Sequence, residues 1–196
     1  MRLRFFLALL VTMAVSAAAH PHVFADVDVV AQFDKNGFVG VRNVWAFDDV
    51  YSAGVLATVG YAGEKALSGD ALKKIEASVL GPLEARNFLN YVQEGSAMLK
   101  AKGIRDFKVN VKGGKMVLDF VVAFSVPATA DYTMLVVVVS DQTNYIQMTT
   151  DMEKADVAAP DGLEVEFFND GLNGLTLFRG FRSDVEGLFL RYRTDR

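Results

Sequence analysis

The 196-residue chain is 52% hydrophobic, carries 20 Lys and Arg against 24 Asp and Glu for a net charge of −4, and contains no cysteine. A core of ordinary size is therefore available, while disulfides, thiolate metal sites and cysteine nucleophiles are excluded and the mild acidity argues against nucleic-acid binding. The two histidines, His20 and His22, fall in one tripeptide, so no histidine elsewhere is free to act as the base of an ordinary hydrolytic triad.

In chain order, Arg2 and Arg4, the apolar run from Phe5 to Val15 and the small residues Ala17-Ala18-Ala19 have the three parts of a secretory signal peptide, with cleavage expected before His20. The run is shorter than the roughly 20 apolar residues a spanning helix needs, which disfavours a membrane anchor. The expected organisation is a leader over 1–19 and one domain over 20–196, located in the periplasm.

From His22 to Phe33 the sequence alternates, with Val23, Ala25, Val27, Val29, Ala31 and Phe33 on one face, which predicts a half-buried strand. Lys35-Asn36-Gly37 signals a tight turn, and Phe38 to Phe47 returns as the hairpin partner. Two registers satisfy the pattern. Pairing Asp34 with Phe38 sets Trp45 beside Val27 and Asp48 diagonal to His22; pairing Asp34 with Gly37 sets His22 opposite Asp49.

Ser68 to Leu80 then predicts a capped helix ended by Gly81-Pro82, and a second helix is expected from Pro82, burying Leu83, Phe88, Tyr91 and Val92. Strands follow at Phe107 to Val111, Met116 to Val126, Tyr132 to Ser140 and Tyr145 to Thr150, with short ones at Leu163 to Phe168 and Leu188 to Tyr192. The expected fold class is α+β, a mainly antiparallel, sandwich-like β-sheet protein with a helical pair inserted near residues 63–102.

The chemistry concentrates at His20-Pro21-His22. A terminal histidine offers its α-amine and a ring nitrogen to one metal, His22 adds a second imidazole, and Asp48 or Asp49 supplies an oxygen. That donor set suits Ni, Co, Zn or Cu rather than Ca or Mg. Pro21 has no N–H to deprotonate, so the backbone-amide mode of square-planar binding is closed. The competing reading is a frayed terminus with no metal. Asp26 with Asp28 and Glu164 with Glu166 are spaced about 7 Å apart on strand faces, where a solvated outer face explains them better than catalysis. Met134, Met148 and Met152 read as packing residues, Trp45 and Phe47 as buried sheet aromatics, and the Arg- and Phe-rich stretch from Phe178 to Arg196 as an exposed edge face.

His20-Pro21-His22-Val23-Phe24 after a leader, Trp45-Ala46-Phe47-Asp48-Asp49 with Tyr51-Ser52-Ala53, and Asp141-Gln142-Thr143-Asn144-Tyr145 resemble an exported bacterial family of unknown function, described as the periplasmic component of an uncharacterised ABC-type transport system. Members often sit beside nickel/cobalt-type permeases, so the resemblance implies divalent-metal handling, with His20, His22, Trp45, Asp48 and Asp141 at the matched positions. The expected function is that of a non-enzymatic periplasmic accessory that captures a divalent metal and assists an inner-membrane metal permease. The alternatives are an interaction module that binds a membrane transporter without metal, and a copper-dependent oxidase with a histidine-brace site.

Overall fold

A computed structural model describes residues 23–63 and 66–195. The leader, His20 and His22 lie outside the described residues.

Strand β1 (Val23–Asp34) pairs antiparallel with β2 (Gly37–Phe47). The register combines both expectations. Asp34 pairs with Gly37 across a two-residue turn, then a bulge at Val39 shifts the ladder so that Val27 faces Trp45. Gly37 holds φ at +135°, and a Cβ there would stand 2.3 Å from the Val126 carbonyl oxygen, which is why glycine follows the turn.

After β2 the chain forms α1 (Asp49–Thr58), a helix the periodicity did not predict because only Ser52 and Leu56 are buried along it. Helix α2 (Gly69–Ile75) starts at the expected Ser68 cap, whose hydroxyl accepts from the Ala71 N–H at 3.2 Å, and continues through a wide turn at Glu76–Leu80 and tighter turns at Gly81–Leu89. The expected second helix stops there. Asn87, Phe88 and Leu89 adopt left-handed φ angles of 51°, 54° and 60°, and residues Asn90–Glu94 form β3. The Asn87 amide donates to Leu99 O and its oxygen accepts from Ala101 N, so tertiary bonds hold a turn that local preference opposes.

The remaining strands are β4 (Ala97–Met98), β5 (Ile104–Lys112), β6 (Lys115–Pro127), β7 (Thr133–Val139), β8 (Ile146–Thr150), β9 (Asp156–Ala158), β10 (Leu163–Gly171) and β11 (Glu186–Thr194). One sheet has the order β5-β6-β2-β1-β8, with β9 also beside β1; the other has the order β10-β11-β7-β3-β4. All pairings are antiparallel except β8 and β9, which run parallel to β1. The architecture is an α+β sandwich, as the strand and helix patterns predict.

The sheets face each other across a shared apolar core. Phe33 of β1 meets Tyr192 of β11 edge-on at 4.8 Å, and the Tyr192 hydroxyl donates to Val126 O of β6 at 3.1 Å. At the centre Trp45, Phe120, Leu118, Leu135 and Leu188 are fully buried. A buried polar bridge joins the sheets: the Asn43 amide of β2 donates to Asn90 Oδ1 of β3 at 2.9 Å, and the Asn90 amide donates to Phe88 O. Strand β11 lies inside its sheet, so Arg191 and Arg193 are not on an edge; they pair across to Glu166 and Glu164 of β10, which is the edge strand.

Candidate functional site

The first described residues of β1 are gripped from both sides. On one side Asp48 closes the hairpin: its backbone N–H donates to Phe24 O at 3.0 Å, and its Oδ2 accepts from the Phe24 N–H at 2.9 Å. Its Oδ1 accepts from the Tyr51 N–H at 2.8 Å, making the same side chain the N-cap of α1. Burial opposes the charge on Asp48, yet the N–H groups of Phe24, Tyr51 and Val50 and its own outweigh that and hold its carboxyl below the ordinary carboxylate range. On the other side the Val23 N–H donates to Tyr145 O at 3.3 Å and Val23 pairs with Ile146 of β8.

The neighbouring surface is mixed. Phe24 and Tyr145 are about half exposed, at 49% and 50%, and Val50 stands almost wholly in solvent. Asp49, in the first turn of α1, is exposed and makes no side-chain hydrogen bond or ion pair among the described residues. Asp48 and Asp49 therefore sit at the end of the sandwich where β1 begins, and they differ: Asp48 is committed to backbone donors, whereas Asp49 has no side-chain partner among the described residues. Among the described residues no group of three or more His, Asp or Glu side chains is disposed to hold a metal ion, so a metal centre built from these carboxylates needs donors from His20 and His22.

The other singled-out residues resolve as structural. Trp45 and Phe47 are fully buried, with the Trp45 ring edge-on to Phe120 at 5.0 Å. Asp26 and Asp28 are exposed on the outer face of β1. Glu164 accepts from Tyr132 and Arg193. Met152 is buried and Met148 half-buried, whereas Met134 is 66% exposed on the outer face of β7, contrary to its expected packing role.

A second constellation, Asp141 with Arg86, was not assembled by sequence reasoning. The Asp141 side chain is 0% exposed and accepts from Arg86 Nη1 at 2.9 Å, the Thr143 N–H at 3.0 Å, the Thr143 hydroxyl at 2.7 Å and the Ile146 N–H at 3.1 Å. The Asp-x-Thr pattern is the local signal, since an aspartate that accepts from the N–H two residues on makes a side-chain turn. Arg86, far away in sequence, carries no such mark. Burial pushes the Asp141 carboxyl up, but the Ile146 and Thr143 donors and the Arg86 guanidinium outweigh it and hold it below its ordinary value of 3.8.

That direction fixes a pH dependence. A carboxyl depressed in the folded state contributes its stabilisation in full above pH 3.8 and loses it as pH falls through the folded value. Stability is thus expected to drop below that pH, and Asp141→Asn is expected to flatten the drop. Urea midpoints taken at intervals from neutral pH into acid check this, and an unchanged pH slope in the variant would contradict it.

Comparison with known proteins adds a family. The family described as "Protein of unknown function (DUF1007)" matches residues 5–169. An uncharacterized protein of Haemophilus influenzae (strain ATCC 51907 / DSM 11121 / KW20 / Rd) is 23% identical over 133 residues, covering 67% of this chain. The match spans 63% of that relative's own length, less than two thirds of it.

Proposed function

The chain belongs to the family described as Protein of unknown function (DUF1007), and from that premise we propose that it is a periplasmic metal-binding accessory which captures a divalent transition metal and assists an inner-membrane permease. The ligands in this reading are the α-amine and ring of His20, the ring of His22 and a carboxylate from Asp48-Asp49, with Asp49 the freer of the two. The observation that carries it is the bond from the Phe24 N–H to Asp48 Oδ2, two residues after His22, because it joins a carboxylate pair to the strand that the histidines precede. Amine and imidazole nitrogens with one oxygen select Ni, Co, Zn or Cu over Ca and Mg. The ion is cargo, so the account contains no catalytic step.

The reading depends on a terminus at His20. Adding one alanine before His20 in the exported protein removes the amine from the chelate while leaving both imidazoles and both aspartates. Metal affinity is expected to fall about tenfold or more, as loss of one well-placed ligand implies. Equal affinity for the extended and unextended proteins, measured by competition with a chromophoric chelator, would overturn the chelate.

A second reading, an interaction module that binds a membrane transporter without metal, is favoured by one observation. The outer face of β7 and β11 carries a mostly apolar groove of about 510 Å³ beside Met134, Phe168, Phe189 and Leu175. Phe168 is 59% exposed and stacks on Phe189 at 5.0 Å. Under this reading, replacing both histidines leaves partner binding unchanged.

A further inference from the structure

The outermost strands of a sheet expose a row of backbone donors and acceptors, and folds ordinarily shorten, bend or charge such strands to keep other chains off. Most edges of this sandwich follow that rule. β4 has two residues, β9 three and β8 five. β5 breaks register between Arg105 and Lys108, holds Asp106 at a φ of 58° and carries Lys108 and Lys112. β10 is different. It runs nine residues in one unbroken register with β11, contains no Pro, Lys or Arg, and ends its sheet, so its far side pairs with no strand among the described residues. Phe167 is 45% exposed and Phe168, on the opposite face, 59%.

The charges on β10 select what pairs there. Side chains alternate along a strand, so Glu164, Glu166, Phe168 and Asp170 share the outer face. Two copies of β10 pairing antiparallel about a two-fold axis set residues of the same face opposite each other. Centred at any residue from Glu164 to Phe168, that arrangement brings two carboxylates from Glu164, Glu166 and Asp170 directly opposite, which is destabilising. A second copy is therefore repelled. β11 shows the pattern that fits: Arg193 lies opposite Glu164, Arg191 opposite Glu166 and Phe189 opposite Phe168, with ion pairs of 2.6 and 2.7 Å and stacked rings 5.0 Å apart. Both glutamates keep room for a further donor, since an ionised carboxylate has about four acceptor sites and the Glu166 side chain is 53% exposed. We propose that the free side of β10 is a strand-addition site for an extended segment of a partner protein, one that carries an aromatic residue and two basic residues on one face and apolar residues on the other. The added backbone supplies main-chain hydrogen bonds, its basic residues meet Glu166 and Glu164, its aromatic residue extends the cross-strand row Val136–Phe189–Phe168, and its apolar face covers Phe167. The site needs no metal and neither histidine, so it stands apart from the capture reading.

The probe is a fluorescein-labelled, amidated peptide of residues 186–194, which carries the fitting pattern. Its binding to the full-length protein is read by anisotropy, and amide hydrogen exchange along β10 and β11 is followed by NMR with and without it. Saturable binding is expected, with exchange slowed about tenfold or more at the alternate β10 amides that face away from β11. A probe with Arg191→Glu and Arg193→Glu is expected to bind about tenfold more weakly, and Glu166→Lys in the protein to weaken the original probe in the same sense. Binding that leaves the β10 amides unprotected, or equal binding by the two probes, overturns the proposal. An edge merely guarded by its carboxylates binds neither probe, and that result overturns it as well. Faster exchange in β11 marks displacement of that strand rather than addition to β10 and counts against it equally. Protection of the same amides without peptide, lost on dilution together with a dimer seen by sedimentation, assigns the edge to a second copy and overturns it too. Should Glu166→Lys fail to fold, the pair of probes still decides, because it leaves the protein unchanged.

Discussion

Replacing Trp45 by alanine is expected to destabilise the protein by about 3–5 kcal/mol, the usual cost of emptying a fully buried aromatic site, and to lower the melting temperature by roughly 10 °C. Trp45 is 0% exposed near the end of β2, packed edge-on against Phe120 and within 6.1 Å of Phe47. The loss is not only of packing. The indole N–H donates to Asn43 Oδ1 at 3.2 Å, and Asn43 is the residue that bridges to Asn90 in the other sheet. Trp45→Ala therefore leaves a cavity and a buried acceptor without its donor. Trp45→Phe keeps much of the volume and removes the donor, so its expected cost is about 1–2 kcal/mol, that of one orphaned buried polar group. Urea unfolding of both variants separates the two contributions; equal costs would mean that the hydrogen bond, not the cavity, dominates.

Asp48→Ala is the second large effect, expected at about 2–3 kcal/mol. Removing the N-cap of α1 costs about 1 kcal/mol, and removing a charged acceptor from the Phe24 N–H costs about 1.5 kcal/mol more, moderated by partial exposure. The N–H of Phe24 is left without its side-chain partner at the start of β1. Asp48→Asn keeps a capping oxygen and is expected to recover about half of the loss. Because Asp48 also holds the strand that His22 precedes, Asp48→Ala is expected to weaken metal uptake along with stability, whereas an Asp49→Ala protein is expected to weaken uptake with stability unchanged within about 0.5 kcal/mol. Calorimetry and metal titration on the two variants check the contrast. Equal stability loss in both would contradict the assigned roles.

Alternation made β1, β2 and the strands from β5 to β8 legible in the sequence, and the sandwich class with them. The hairpin register was readable only as two alternatives, because a bulge at Val39 lets the turn follow one and the body of the ladder the other. Helix α1 escaped periodicity because it buries one narrow line, Ser52 and Leu56, and Ser52 is there for a polar reason: its hydroxyl accepts from Met116 N at 2.8 Å. The stretch from Phe88 to Val92 has helical spacing, but three left-handed residues turn it into β3, held by Asn87 and Asn90 through partners distant in sequence. The strand β8 was legible, but its parallel pairing with β1, like that of β9, depends on crossovers that no local pattern announces.

At the site the same division holds. The hairpin placed Asp48 and Asp49 at the start of β1, as alternation and turn chemistry predict. The difference between them, one carboxylate consumed by backbone donors and the other without a partner among the described residues, depends on α1 and was invisible without it. Asp141 had a readable turn pattern, while its pairing with Arg86 is purely tertiary.

The most direct test of the central claim is calorimetric titration of the exported protein, its terminus verified by mass spectrometry as His20, with Ni, Co, Zn and Cu. The account predicts one ion per chain at micromolar affinity or tighter for at least one of these metals, abolished in a protein with both His20 and His22 replaced by alanine. No uptake of any of the four by protein that does begin at His20 would contradict it.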